Sequence, residues 1–451
     1  MSIASRTGTP TRVALIVRTA IVGAFVLLLA SSGGAGPASA FWSTPQSSPR
    51  GFFERIRAAH MGGNWGTNVE AVHTLPQDYF DHLNDLFVDW VGITVSLHVD
   101  DSMDSTVSLE YSGVTIPTFT DATLEGLIRA FRQRGFKVYL ALVFEIFEAE
   151  ASARPVSRWQ LGDPNMPDED PSVLPENWPW DLDHPNHTAF VAEFWQTYTQ
   201  QAVHFAQIAE AEGVQLYAIG AETERLFRSR SGGRWPNEFL SELLAMVAAV
   251  RAVYSGYLTY DQHYGAVSEP FYSAGSEHLF GDIGLDVVGV SAYFPLLPSP
   301  PGAVTGVATL ESRWETVFQD DLIPLRQRNP TRPILFTEFG YVNHVDAPFN
   351  PVIDEFQPWV FTDLNGNGLD DGEETQANIY EAFFNTMKRH PDLVDGAFLW
   401  GMQMASDETW NDNFRFLIDF SPRGKLAEDV VRKAYDSFRR NIRFFIGDGA
   451  E

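Results

Sequence analysis

Two glutamates each close a short run of β-forming residues: Val214-Gln-Leu-Tyr-Ala-Ile-Gly-Ala-Glu222 and Pro333-Ile-Leu-Phe-Thr-Glu338. A carboxylate at the carboxyl end of a buried strand is costly unless it is paired or used. Two of them brought face to face can cleave a glycosidic bond. One attacks the anomeric carbon; the other protonates the leaving oxygen and then activates water, with the carboxyl groups about 5–5.5 Å apart. In this scheme Glu338 is the ionised nucleophile. Glu222 is the acid, its proton retained through burial and the charge of its neighbour. Either residue alone reads equally well as a salt-bridged glutamate. The pair, on strand ends far apart in sequence, favours chemistry.

Such a pair needs a frame that brings distant strand ends together. From about residue 55 onward, apolar strand-like runs alternate with amphipathic helical runs. Strands are expected at 58–62, 90–97, 137–144, 214–220, 256–260, 286–292, 333–337 and 394–400. Helices are expected at 77–87, 124–134, 187–212, 238–253, 310–328, 374–389 and 426–439, with a weak crossover around 270–281. Alternation of this kind argues for right-handed βαβ crossovers, and eight repeats argue for closure into a (β/α)8 TIM barrel over residues 55–445, with residues 41–54 as a lead-in. Helix-to-strand connections are short, whereas strand-to-helix connections include the long segments 98–121, 147–186 and 341–373. In a barrel those long loops share one face, the face that carries chemistry. The runner-up, a doubly wound open sheet, lacks a Gly-x-Gly-x-x-Gly turn after its first strand.

The glutamates and their surroundings resemble clan A glycoside hydrolases, whose acid/base ends strand four and whose nucleophile ends strand seven. Ala218-Ile-Gly-Ala-Glu-Thr-Glu224, the helix text Phe194-Trp-Gln-Thr-Tyr198 and Asp286-Val-Val-Gly-Val-Ser-Ala-Tyr293 resemble glycoside hydrolase family 113, which contains β-mannanases. The resemblance implies a β-1,4-mannan substrate, with other β-glycans such as glucan as the alternative. There are two departures. Ala221 stands where the clan usually has an Asn that binds the sugar 2-hydroxyl, and His98 stands near the end of strand two, where many members have Arg. They leave Glu224, expected to lie further into the loop and to face solvent, as an alternative acid.

Around the pair, Tyr293 at the end of strand six is placed to hydrogen-bond Glu338. Trp400, ending strand eight, offers a flat face to a sugar ring. Asp261, His263 and Tyr264 follow strand five and are expected to meet substrate hydroxyls. Asn64 and Trp65 lie in a glycine-rich turn after the first strand. Trp159, Trp178 and Trp180 lie in the long third loop, where exposed aromatics suit carbohydrate stacking. Each has an ordinary structural alternative: rim packing for the aromatics, a satisfied polar side chain for His263.

The seventh connection holds Asp363-Leu-Asn-Gly-Asn-Gly-Leu-Asp-Asp-Gly-Glu-Glu374. Oxygen donors fall at Asp363, Asn365, Asn367, the Leu369 carbonyl, Asp371 and Glu374, with Gly368 at the sharp bend. This spacing matches a loop that wraps one Ca2+. The expected role is structural, since cleavage by two carboxylates needs no metal. A solvated polar loop is the alternative.

The chain has 451 residues, 44% hydrophobic content, no cysteine and a formal net charge of −28. The acidity argues against nucleic acid or an anionic membrane as partner. The size of the core makes disulfides unnecessary. Arg6, Arg12 and Arg18 precede the apolar run Ala20–Ala30, and small residues lead to Ala38-Ser-Ala40. That pattern reads as a secretory signal peptide over residues 1–40, with an uncleaved anchor as the alternative. The expectation is a secreted, monomeric, retaining β-glycoside hydrolase that meets a polysaccharide or oligosaccharide and no membrane after cleavage. A catalytically silent carbohydrate-binding barrel and a metal-dependent hydrolase are the competing classes.

Overall fold

The computed structural model describes residues 52–53, 55–61, 75–114, 116–146, 158, 161–162, 189–227, 239–268, 279–402 and 404–446. The signal-peptide segment, Asn64, Trp65, Trp159, Trp178 and Trp180 lie outside the described residues.

Eight parallel strands close into a barrel in sequence order. They are β1 (Ile56–His60), β2 (Trp90–Val99), β3 (Lys137–Ile146), β4 (Leu216–Ala221), β5 (Tyr257–His263), β6 (Val288–Ser291), β7 (Ile334–Phe339) and β8 (Gly396–Leu399), with β8 pairing back onto β1. The helices outside it include α1 (Gln77–Asp85), α2 (Asp121–Gln133), α3 (Trp195–Ala211), α4 (Leu240–Arg251), α5 (Val307–Val317), α6 (Asp371–Arg389) and α7 (Leu426–Ile446). The expected (β/α)8 barrel is therefore the fold.

β2 shows why the strands read as unbroken apolar runs: all ten of its residues are buried. Val91, Ile93, Val95 and Leu97 join the layer between sheet and helices, while Trp90 joins the barrel interior. Both faces of a parallel strand are covered, so alternation is weak. Gly92 faces inward, and a Cβ there would lie 2.7 Å from the His60 ring. Phe53 of the lead-in is fully buried with Trp90, Leu216 and Phe398 at the base of the barrel. Burial of such a side chain contributes roughly 1.5–3 kcal/mol, so this part of the lead-in belongs to the barrel.

Boundaries differ where function concentrates. β5 runs on to His263 and β7 to Phe339, past the expected ends at 260 and 337. The helix expected at 310–328 is interrupted: α5 is followed by a π-turn at Phe318–Leu322 and a short helix at Ile323–Arg328. Pro324 lies in the first turn of that last piece and has no N–H for the regular ladder.

Candidate active site

Glu222 follows the last residue of β4. Gly220 lets α3 approach closely, because a Cβ there would sit 2.6 Å from the Tyr198 hydroxyl. That hydroxyl donates to the Ile219 carbonyl and fixes the end of the strand. Glu222 itself has φ of 52°, a left-handed conformation that costs a non-glycine residue about 1–2 kcal/mol. The Glu222 N–H donates to the Asp261 carbonyl at 2.8 Å. The next residue is held by Thr223 N–H on the Tyr260 hydroxyl at 2.9 Å. β5 thus holds the strained turn in place.

Glu338 lies within β7. Strict alternation from Thr337, which hydrogen-bonds Asp261 inside the barrel, would turn Glu338 outward. The β6–β7 pairing shifts register between Val290 and Ser291, and the β7–β8 pairing shifts between Phe336 and Phe339. Such irregularities re-aim side chains at barrel rims. A third shift, between Ala218 and Ala221, precedes Glu222.

Both glutamates line one cavity of about 360 Å³, together with Tyr293, Trp400, His263 and Tyr264. The Tyr293 hydroxyl donates to Glu338 Oε2 at 3.0 Å. Burial, and then the charges of Glu338 and Glu222, push the Tyr293 phenol well above its ordinary value, so it stays a donor. His263 accepts the Gly265 N–H on Nδ1 at 3.1 Å.

Two expectations need correction. Asp261 does not reach the cavity. It is fully buried in β5, one layer below His263, with its carboxylate on the Thr337 hydroxyl. Two residues of strand rise separate the floor from the rim. Glu224 is not solvent-facing: it is 1% exposed, and its Oε1 accepts the His263 N–H at 2.6 Å. It ties the β4 and β5 ends together and is absent from the cavity wall.

The sequence reading missed several wall residues: Thr94, Glu145, Arg158, Asp419, and Asn350 to Phe356 in part. Glu145 carries the same signal as the chosen pair, a carboxylate near the end of an apolar strand. Arg158 carries none. It projects from the third loop, which is pinned nearby by fully buried Leu161 and by Gly162 N–H on the Ser102 carbonyl at 2.7 Å. Burial opposes its charge, but Glu145, Glu222, Glu338 and Tyr293 outweigh this and raise its pKa. His98, by contrast, is buried within β2 and does not line the cavity.

The Glu338 carboxyl is held well above the usual range by burial, then by Asp261 and Glu222, while Arg158 and the Tyr293 hydroxyl act the other way. Of the two glutamates, Glu338 is the more deeply buried. Asp261 is also held well above its ordinary value, first by burial. Once protonated it carries no charge to repel Glu338, and Arg158 and the Tyr293 hydroxyl favour the ionised form of that glutamate.

The raised Asp261 carboxyl gives a stability prediction. Above about pH 3.9 the unfolded chain releases this proton and the folded chain keeps it, so stability falls as pH rises toward the raised folded value. Asp261→Asn removes that slope and keeps an oxygen for Thr337. The variant is expected to gain several degrees of Tm relative to wild type at pH 8 and less at pH 5. An equal difference at both pH values in a thermal melt would contradict a buried neutral carboxyl.

A closed parallel barrel with two glutamates at the β4 and β7 ends facing one cavity has the architecture of clan A glycoside hydrolases. The chain belongs to glycoside hydrolase family 113, whose family profile matches residues 180–418, a span that includes both glutamates. Among solved structures, a family 113 β-1,4-mannanase complex superposes with TM-score 0.55 at 20% identity, covering 85% of this chain and 99% of that one. The β-mannanase AaManA from Alicyclobacillus acidocaldarius, in complex with ManMIm, gives TM-score 0.58 at 19% identity, covering 85% and 98%. At this identity they establish the shared fold. No curated protein matches the chain significantly.

Proposed function

We propose that this family 113 protein is a retaining β-glycoside hydrolase acting on β-1,4-mannan, with Glu338 as nucleophile and Glu222 as acid/base. The observation that carries the reading is the cavity shared by Glu222 and Glu338, with Tyr293 hydrogen-bonded to the latter at 3.0 Å. Glu338 attacks the anomeric carbon while Glu222 protonates the leaving oxygen. Once the ester forms, the negative charge of Glu338 is gone. Glu222 is then a base, takes a proton from water, and the water oxygen displaces Glu338 with net retention. Arg158 and the Tyr293 hydroxyl favour the ionised form of Glu338, and Tyr293 orients it before attack. Trp400 offers its ring to the sugar face. Ala221, fully buried, gives no hydrogen bond to the 2-hydroxyl, so orientation rests on the other wall residues. The assignment of mannan rests on the family.

The purified protein, incubated with mannan, glucan, xylan and galactan, is expected to release sugar fastest from mannan, with the β-anomer appearing first by NMR. Initial α-anomer would overturn retention, and faster glucan cleavage would overturn the substrate. Binding without cleavage on every polymer would leave a silent barrel.

We also propose that residues 363–374 hold one structural Ca2+. Asp363, Asn365, Asn367 and Glu374 converge: Asn367 N–H donates to Asp363 Oδ1 and to Asn365 Oδ1 at 3.0 Å, and both Asn amides reach Glu374 Oε2. Asp371 Oδ1 is buried with no hydrogen-bond partner, which fits a cation. The set relies on amide and backbone oxygens, since no group of three or more His, Asp or Glu alone converges as metal ligands among the described residues. Asp370 caps α6 through the Glu373 N–H and also takes the Thr362 N–H, closing the base of the loop. Chelation is expected to lower Tm and activity together. Calcium at about a hundred times its Kd would contribute about 2.7 kcal/mol. A protein that binds no calcium at millimolar concentration by calorimetry would sink this assignment. Residues 1–40 are proposed to direct export with cleavage after Ala40, which amino-terminal sequencing of the exported protein tests.

A further inference from the structure

The connection after β7 contributes more to the cavity than its polar loop suggests. Asn350, Pro351, Val352, Glu355 and Phe356 all line the cavity that holds the glutamate pair. None belongs to a strand end. Their placement is built into the backbone.

Among the described residues, five non-glycine residues have left-handed φ: Arg55, Phe87, Glu222, Asp354 and Phe356. Three of the five are thus Glu222 itself or the two residues that bracket Glu355. Left-handed backbone at a side chain with a Cβ costs about 1–3 kcal/mol each and persists only when the surroundings impose it. The surroundings do so. Phe356 N–H donates to the Ile418 carbonyl at 2.8 Å, Ile418 N–H to the Gln357 carbonyl at 2.9 Å, and Trp359 N–H to the Phe416 carbonyl at 2.8 Å. On the other side, Val342 N–H donates to the Pro351 carbonyl at 3.1 Å, which anchors the segment to the end of β7. The loop is pinned at both ends and twisted twice, with Glu355 at the twist.

The chemistry of the wall is that of a sugar site. Val352 and Phe356 are 47% and 37% exposed, large apolar groups at a polar rim. Glu355 is half-buried beside Asp419, and its charge acts on Tyr293, the partner of Glu338. The carboxyl therefore adjoins the reacting centre. Burial and the neighbouring Asp419 push it up to about 7, so it can accept or donate a hydrogen bond near neutrality. Lys425 Nζ is committed to Asp419 and Asn343, and Glu355 has no ion-pair partner among the described residues.

We propose that residues 350–356 form a sugar subsite beside the catalytic pair, in which the Glu355 carboxyl hydrogen-bonds a ring hydroxyl and Phe356 and Val352 carry the apolar ring face. The unit it takes is a neutral hexose, because the wall sets five carboxyl groups (Glu145, Glu222, Glu338, Glu355 and Asp419) against one guanidinium, Arg158, and so disfavours a uronic acid. This deepens the proposed glycosidase reading and rests on it.

The test compares wild type with Glu355→Ala, Glu355→Gln and Phe356→Ala, using mannohexaose and cellohexaose. Hydrolysis gives kcat and KM, and calorimetry gives Kd in a Glu338→Gln background. Glu355→Ala is expected to lower kcat/KM on the better hexasaccharide by about tenfold to a hundredfold, the scale of a hydrogen bond to a charged group. It is also expected to shrink the mannose-to-glucose preference, a ratio that general loosening of the fold would not move. Glu355→Gln keeps a hydrogen-bonding amide and is expected to lose less than tenfold; it carries the test if the alanine variant does not fold. Phe356→Ala is expected to raise KM with kcat little changed. An active wild type whose kcat/KM, preference and Kd are unchanged in the Glu355 variants overturns the subsite and spares the glycosidase. An inactive wild type that binds a hexasaccharide through Glu355 supports the subsite and overturns the glycosidase. Binding of neither sugar overturns both.

Discussion

Glu338→Gln is expected to lower kcat on the preferred polysaccharide by at least about 10⁴-fold, the scale seen when a nucleophile is removed from its catalytic unit. The amide cannot form the glycosyl ester, so no alternative covalent route remains. The change is isosteric, and its amide oxygen still accepts from the Tyr293 hydroxyl that now lies 3.0 Å from Oε2. Fold and sugar binding should survive, and Tm should hold or rise, because a group only 6% exposed no longer has to carry charge. Reducing-sugar release against calorimetric binding separates these effects. A 2-fluoro sugar with a good leaving group should add its mass to the wild type at the peptide containing Glu338. Activity within tenfold of wild type, or a label on any other residue, removes Glu338 from the role.

Glu222→Ala should behave differently with leaving group. On polysaccharide, where the departing oxygen needs a proton, the expected loss is about 10²–10⁴-fold. On a dinitrophenyl glycoside, whose leaving group departs unassisted, the first step should stay close to wild type and the glycosyl-enzyme should accumulate. Azide, which needs no base, should restore turnover and give the β-glycosyl azide. Glu224→Gln separates the two acids. Glu224 is buried against the His263 N–H at 2.6 Å, so its loss is expected to lower Tm and leave the leaving-group dependence unchanged. If Glu224→Gln instead showed azide rescue, the acid would have been assigned to the wrong glutamate.

The amino-acid sequence by itself determined the barrel and singled out the two glutamates that the structure brings to one cavity. Parallel strands buried on both faces, such as β2, must be continuous apolar runs, and short helix-to-strand turns leave few ways to connect them. A carboxylate at the end of such a run stands out against its neighbours, which is why Glu222 and Glu338 were legible and why Glu145 could have been. Tertiary structure alone decided where the side chains point and which of them meet. β5 runs three residues past its apolar text, so Asp261 sinks below the floor while His263 reaches the wall. The left-handed turn at Glu222, held by the Asp261 carbonyl, sends that glutamate to the cavity and leaves Glu224 in the packing beneath. Arg158 and Glu355 come from loops whose local residues carry no periodic signal; those loops are held by backbone hydrogen bonds to Ser102, Ile418 and Phe416, partners remote in sequence. Periodicity follows from contacts between near neighbours and survives in the text of the chain, whereas the aim of a rim side chain follows from long-range hydrogen bonds and register shifts that exist only once the barrel has closed.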